Sequence, residues 1–172
     1  MHISKNAVVT DDEYEKRWDA IALQLGYIVI FWSRIEFYLA RAFFGVTEAT
    51  EAASNVLARR LNASTIETII LELLPAIPED EATAIRAWVK KIQAARKWRN
   101  SSLHSILVDQ KRDGAWHPSR VEFGIGKDGA ARISGEKITL AELTSFREDL
   151  GTIAKEYRTL PERARIGIQQ ND

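Results

Sequence analysis

Arg99, Asn100 and His104, near the middle of the chain, are residue types that can bind a phosphate and transfer a proton. The guanidinium of Arg99 keeps its positive charge, and its planar set of donors fits a phosphate. Imidazole has a reference pKa of about 6.5, so His104 can act as an acid or a base at neutral pH. Asn100 can orient the histidine or donate to the phosphate. The three residues predict acid–base chemistry at a phosphate ester.

The spacing of these residues is compatible with a site built by two chains. Asn100 and His104 lie four residues apart and share one face of a helix. Arg99 and His104 lie five residues apart, which is roughly 140° around an ideal helix. One helix therefore holds their side chains apart, whereas a second copy packed across a twofold axis would place arginine and histidine around one groove. A homodimer is thus one arrangement that would complete the site.

Two arginines lie on the apolar face of the helix that carries the site. That face is formed, at spacings of three and four, by Ile85, Val89, Ile92, Arg96, Arg99 and Leu103. Burying a charge on such a face costs free energy of desolvation unless a partner or ligand compensates the charge. We expect Arg96 to support the site, and Lys97 and Arg99 to bind phosphate. The alternative is that the long stems pack while the charged ends reach water, at the helix end that favours cations.

Glu36 is a second unusual charge, because it lies among apolar and aromatic residues on the most hydrophobic helix. A buried carboxylate requires a cation. Arg99 or Arg96 on a facing helix would provide one, and Arg34 or Arg41 on the same helix is the local alternative. Glu36 would then either support the site or form an internal salt bridge that fixes how the helices pack.

The site must be positioned by several helices, which the apolar pattern predicts. Thr10 with Glu13 forms a capping box, and an apolar stripe follows as far as Leu39. Residues 27–44 are apolar on the other faces too, so we expect them to be buried nearly all round, with Gly45 as the stop. Further helices are predicted at residues 48–61, from Ser64 with Glu67 as a capping box, and from Pro78 to the site.

The chain after His104 has a different pattern. Short segments rich in β-forming residues, separated by glycine turns, predict a small β-meander over residues 106–138. Thr139 with Glu142 then opens a last helix, which ends near Pro161. We predict one mainly α domain over residues 1–172: a helical bundle with the β-meander inserted before the last helix. Residues 1–9 form an extended N-terminus and residues 161–172 a C-terminal tail.

Composition excludes several other classes of protein. The 172 residues suit one domain, and 24 basic residues balance 24 acidic ones, so a general nucleic-acid coat is not expected. The chain has no cysteine, which suits the reducing cytoplasm, and three scattered histidines make no zinc motif. Glycines at 124, 126 and 129 indicate a hairpin turn rather than a dinucleotide site. We expect no metal, no cofactor and no membrane span.

The helical part resembles the HEPN family (higher eukaryotes and prokaryotes nucleotide-binding domains). The resemblance is carried by Arg99 and Asn100, with four residues between Arg99 and His104, and by Trp32-Ser33-Arg34-Ile35-Glu36, which is similar to the first long helix of bacterial members. It covers roughly residues 11–105 and 139–160. It implies a dimer with a composite site and metal-independent cleavage of RNA. Toxin-type members have an antitoxin as partner.

Two other functions are compatible with the same residues. A non-catalytic HEPN-like module would bind a nucleotide or RNA in the same pocket, or only hold a dimer together. A purely structural role would pair Arg99 with Glu36 as an internal bridge in an interaction protein.

Overall fold

The computed structural model describes residues 11–103, 106–112, 115–125 and 131–165, and the described chain is mainly helical, as predicted. The α-helices are α1 (Asp11–Thr47), α2 (Glu51–Arg60), α3 (Ala63–Leu73), α4 (Glu79–Leu103), α5 (Leu140–Glu156) and α6 (Glu162–Arg165). Short 3-10 helices span Leu74–Ala76 and Tyr157–Thr159. Outside the described residues lie His104, the Thr10 cap and residues 166–172. Helix α6 lies within residues 161–172, the segment predicted as a tail.

The core lies between α1 and the helices that pack on it. Helix α1 contacts α3, α5 and α6, while α4 contacts α3 and α5. The predicted stripe of α1 is the buried side: Ile28, Trp32, Ile35 and Leu39 are each at most 2% exposed. Burying one such aliphatic side chain contributes about 1.5–3 kcal/mol. The apolar stripe therefore determines which side of α1 faces the bundle.

The opposite side of α1 is open, so the prediction that residues 27–44 are buried nearly all round is wrong. Leu23, Ile30 and Phe37 are 57%, 52% and 56% exposed. The reason is geometric: α3, α5 and α6 cover one side of the helix, and within the described residues nothing covers the other. By length and composition alone, α1 is also apolar enough to cross a membrane, a property that the core helices of many proteins share.

Gly45 is a packing residue and not the stop of α1, which continues to Thr47. A Cβ atom at Gly45 would lie 1.7 Å from the backbone oxygen of Arg163, so only glycine lets α6 approach α1 here. The helix ends instead at Glu48, whose φ of 52° is in the left-handed region. Glu48 also accepts a hydrogen bond from Arg163 Nη1 at 2.6 Å, which fixes α6 to the end of α1.

Local capping explains where α3 and α5 start. Thr139 and Glu142 form the predicted capping box of α5, with both reciprocal hydrogen bonds present. Helix α3 starts two residues earlier than its predicted box requires, because the N-cap is Asn62, whose Oδ1 accepts from Thr65 N at 2.9 Å. The Ser64–Glu67 capping box is therefore wrong, and Glu67 is free for another role.

Three strands connect α4 to α5: β1 (Ile106–Arg112), β2 (Ala115–Ile125) and β3 (Ala131–Lys137). They pair antiparallel in the order β1-β2-β3, with Val108 opposite Ser119 and Val121 opposite Gly135. Ile138, immediately after β3, is buried in the helical core. It thereby fixes the point at which the chain returns to the bundle before α5.

Candidate functional site

Arg99 lies on the last turns of α4 and faces α1. Its Cζ atom is 5.5 Å from the ring centroid of Trp32, within the range of a cation–π contact. Its Nη1 donates to Asn100 Oδ1 at 3.1 Å. Its Nε is buried and has no hydrogen-bond partner among the described residues. Among the side chains that the structure describes, no carboxylate lies within ion-pair distance of this guanidinium.

Arg96, three residues before Arg99, forms an ion pair. Its Nε and Nη2 donate to the two carboxylate oxygens of Glu67 at 3.0 and 2.9 Å, which is a bidentate ion pair. The side chain of Glu67 is fully buried and that of Arg96 is 23% exposed. Arg96 therefore holds α4 to α3, and its charge is neutralised.

Glu36 is exposed, so the expectation of a buried carboxylate in need of a cation is wrong. It accepts a hydrogen bond from Trp32 Nε1 at 2.7 Å, and within the described residues it forms no ion pair with an arginine. The reason is that residue 36 points away from the stripe of α1 that faces the bundle. Glu36 still adjoins the site, because Trp32 contacts both Glu36 and Arg99.

The remaining predicted residues are placed only in part. Asn100 is half-buried and acts as the acceptor for Arg99, so its carboxamide is oriented by the guanidinium. Lys97 is exposed and forms no ion pair with a described residue, so it remains a second cation on the same end of α4. His104 is outside the described residues. Among those described, no group of three or more histidine or acidic side chains is arranged to hold a metal ion.

Trp32 and Glu67 were not identified as partners of Arg99 and Arg96 from the sequence. Trp32 belongs to the apolar stripe of α1, where an aromatic residue normally serves packing alone. A sequence signal existed for its link to Glu36, because residues four apart on a helix are neighbours. The partnership of Glu67 with Arg96 crosses from α3 to α4, and no spacing rule predicts it.

A buried aromatic cluster packs against α4 at Trp88, about three turns before Arg99. Tyr157 stacks on Tyr38 with ring centroids 4.4 Å apart, and the indole nitrogen of Trp88 donates to the backbone oxygen of Ile153 at 2.9 Å. Burial raises the pKa of Tyr157, and the nearby positive charge of Arg41 opposes that rise. Tyr157 therefore stays neutral at physiological pH and serves packing rather than proton transfer.

No protein-family model, curated protein or solved structure shows a significant match to this chain.

Proposed function

We propose that the chain is a HEPN-like, metal-independent endoribonuclease of the toxin or defence type, which acts in the cytoplasm as a homodimer. The observation that supports it best is the guanidinium of Arg99, which no described carboxylate neutralises and whose buried Nε lacks a hydrogen-bond partner. A buried donor without a partner is costly, and a ligand that supplied the acceptor would remove that cost. Arg96 on the same face is neutralised by Glu67, so Arg99 is distinguished from its neighbour.

The chemistry follows from the residue types. A base removes the proton of the ribose 2′-hydroxyl, the 2′-oxygen bonds to phosphorus, the bond from phosphorus to the 5′-oxygen breaks, and an acid protonates that oxygen. His104 of the two chains would supply the base and the acid. Arg99 would stabilise the negative charge on the phosphorane oxygens, held in place by the ring of Trp32 and by Asn100.

The proposed architecture is a HEPN-like helical dimer to which an insertion is added that the resemblance does not cover. The exposed apolar face of α1, which adjoins Glu36, is the surface on which a second chain would pack. The three strands would act as a β-meander inserted before the last helix of the bundle. We also propose that a toxin-type member of this kind is neutralised by an antitoxin and makes no use of a membrane.

Cleavage of single-stranded RNA in EDTA tests this function. We expect the wild-type protein to cut, Arg99→Ala to lower the rate by about 10²–10³-fold, and His104→Ala by about 10²–10⁴-fold. Arg86→Ala is the matched control, because Arg86 lies on the same helix in an ion pair with the exposed Glu79 at 3.4 Å. Thermal melting of each variant separates lost chemistry from lost folding. No cleavage by the wild-type protein, or equal cleavage by folded His104→Ala, contradicts the proposal.

A HEPN-like module that binds RNA or a nucleotide without cutting is the second candidate. It is favoured by the described neighbours of Arg99, since an indole and a carboxamide bind and stack but transfer no proton at neutral pH. A titration with labelled RNA distinguishes the two candidates. Binding that is weakened in Arg99→Ala, with no turnover by the wild-type protein, identifies the binding module.

A further inference from the structure

A groove between α4 and α5 lies beside the Arg99 site and has no assigned role. Its volume is about 440 Å³, enough for a nucleoside, and it opens to solvent. The floor is apolar and includes Ala95, Trp98, Phe146 and Ile153. Trp98 and Phe146 stack with ring centroids 3.8 Å apart, and Trp98 is only half-buried. The floor therefore offers an accessible aromatic surface to a flat ligand.

The rim of the groove is rich in hydrogen-bond acceptors. Lys91 and Glu156 form an ion pair with each other, so their charges compensate. Asp149 is exposed and has no ion pair or hydrogen bond within the described part of the chain, which leaves one uncompensated negative charge. The hydroxyl of Thr152 donates to the backbone oxygen of Glu148 at 3.1 Å, so it too presents a lone pair. A ligand that fits this rim is flat, apolar on its faces and rich in donors at its edge.

We propose that this groove binds a guanine base of single-stranded RNA, a subsite that rests on the proposed function of the Arg99 site. Unpaired bases are recognised by stacking on aromatic side chains and by hydrogen bonds to their Watson–Crick edges. Guanine presents two adjacent donors on that edge, N1–H and the 2-amino group, and these match the two oxygens of Asp149. Adenine and cytosine place an acceptor next to their amino group, and uracil has one donor between two carbonyls, so each repels a carboxylate.

The position of the groove relative to the cations supports a nucleotide over a protein partner. Trp98, on the floor, lies between Lys97 and Arg99 in the sequence, so the aromatic surface and the two cations lie on adjoining sides of the last turns of α4. A base in the groove would leave its phosphates close to the cations and away from Asp149. Charge is therefore arranged as RNA requires, with the carboxylate at the base edge and the cations at the backbone.

Equilibrium binding of short RNA oligomers with 2′-O-methyl sugars tests the subsite, because these sugars lack the attacking hydroxyl and binding is measured without cleavage. The probes are oligouridines that carry one guanine, adenine or cytosine in the centre. We expect the guanine probe to bind about tenfold to a hundredfold more tightly than the others, the range for one bidentate base contact. Asp149→Asn should abolish that preference, because one acceptor becomes a donor, and Trp98→Leu should weaken every probe.

Glu148→Gln is the matched control, since Glu148 is the neighbouring exposed carboxylate, pairs with Arg147 and is not part of the groove. It should leave the guanine preference unchanged. Equal affinity for all bases, no binding of any probe, or a preference retained in Asp149→Asn overturns the proposal. So does Asp149-dependent binding of an arginine-rich peptide without base preference, which would assign the groove to a protein. A guanine preference without RNA cleavage refutes only the nuclease, and cleavage without the preference refutes only the subsite.

Discussion

Arg96 and Arg99 lie three residues apart on the same face of α4, yet their charges have different partners. The carboxylate of Glu67 neutralises Arg96, whereas Arg99 contacts the ring of Trp32 and the carboxamide of Asn100. An ion pair neutralises the charge of an arginine, so that charge no longer attracts a ligand. A cation–π contact orients an arginine without a neutralising negative charge. For single residues, Arg96 therefore serves folding, and Arg99 remains the residue that we propose for binding.

The ion pair between Glu67 and Arg96 should be important for stability. We expect Arg96→Ala to lower the free energy of unfolding by about 3–5 kcal/mol, because it leaves the carboxylate of Glu67 buried without a partner. Urea denaturation measures the change. Arg86→Ala, which removes the ion pair with the exposed Glu79, should cost no more than about 1 kcal/mol. The double variant Glu67→Leu with Arg96→Met should recover most of the loss, and equal stabilities for Arg96→Ala and Arg86→Ala contradict the assignment.

Contacts at the end of α1 fix the position of the short helix α6. Helix α6 is only four residues long, so it depends on docking against α1 rather than on its own hydrogen bonds. Helix α6 can approach α1 because Gly45 has no side chain, and the ion pair between Arg163 and Glu48 holds it there. Helix α1 contains a second glycine, Gly26, and a Cβ atom there would have no neighbour within 4 Å. The two glycines of α1 therefore have opposite consequences for substitution.

Gly45→Ala should destabilise the protein by about 1–3 kcal/mol, because the new methyl group overlaps the backbone of Arg163 and displaces α6. Gly26→Ala should instead stabilise α1 by about 0.5–1 kcal/mol, since alanine restricts the unfolded chain and meets no neighbour. Thermal unfolding gives both changes, and hydrogen exchange at residues 163–165 reports the loss of α6. A Gly45→Ala protein as stable as Gly26→Ala would show that α6 does not dock as described.

On the scale of the whole molecule, the most prominent surface is the uncovered side of α1. Leu23, Ile30 and Phe37 follow one another at intervals of seven residues, so they lie in line along the helix. Monomeric proteins rarely leave such a row of large apolar side chains in water. Because a twofold axis pairs a surface with itself, one such row on each of two chains is enough to build an interface.

We expect the wild-type chain to sediment as a dimer and Ile30→Glu with Phe37→Glu to sediment as a monomer. The substituted carboxylates would face each other across the twofold axis without cations, which opposes association. Val56→Glu is the control, because Val56 is equally exposed but lies on α2. Sedimentation velocity at several concentrations gives the association state. A monomeric wild-type chain, or a dimer that survives both substitutions, excludes this face as the interface.

Features that depend on residues close together along the chain follow from the amino-acid sequence alone. The cap of α5 joins Thr139 to Glu142, and the stripe of α1 repeats every three or four residues, so both follow from helix geometry alone. The same locality explains why Arg99 and Asn100 could be proposed together. Such signals establish helices, their apolar faces and the residues that a helix end presents.

Which helix faces and which charges meet is visible only in the folded chain. Glu67 lies 29 residues from Arg96 and pairs with it, while Glu36, the carboxylate expected there, is in solvent beside Trp32. Both sides of α1 carry large apolar residues. Three helices cover the side that contains Trp32, whereas the side that contains Ile30 is open. Periodicity marks the faces of a helix but contains no information on the packing angle or the neighbour. Those depend on the shape of the assembled core, to which residues far apart in the sequence contribute together.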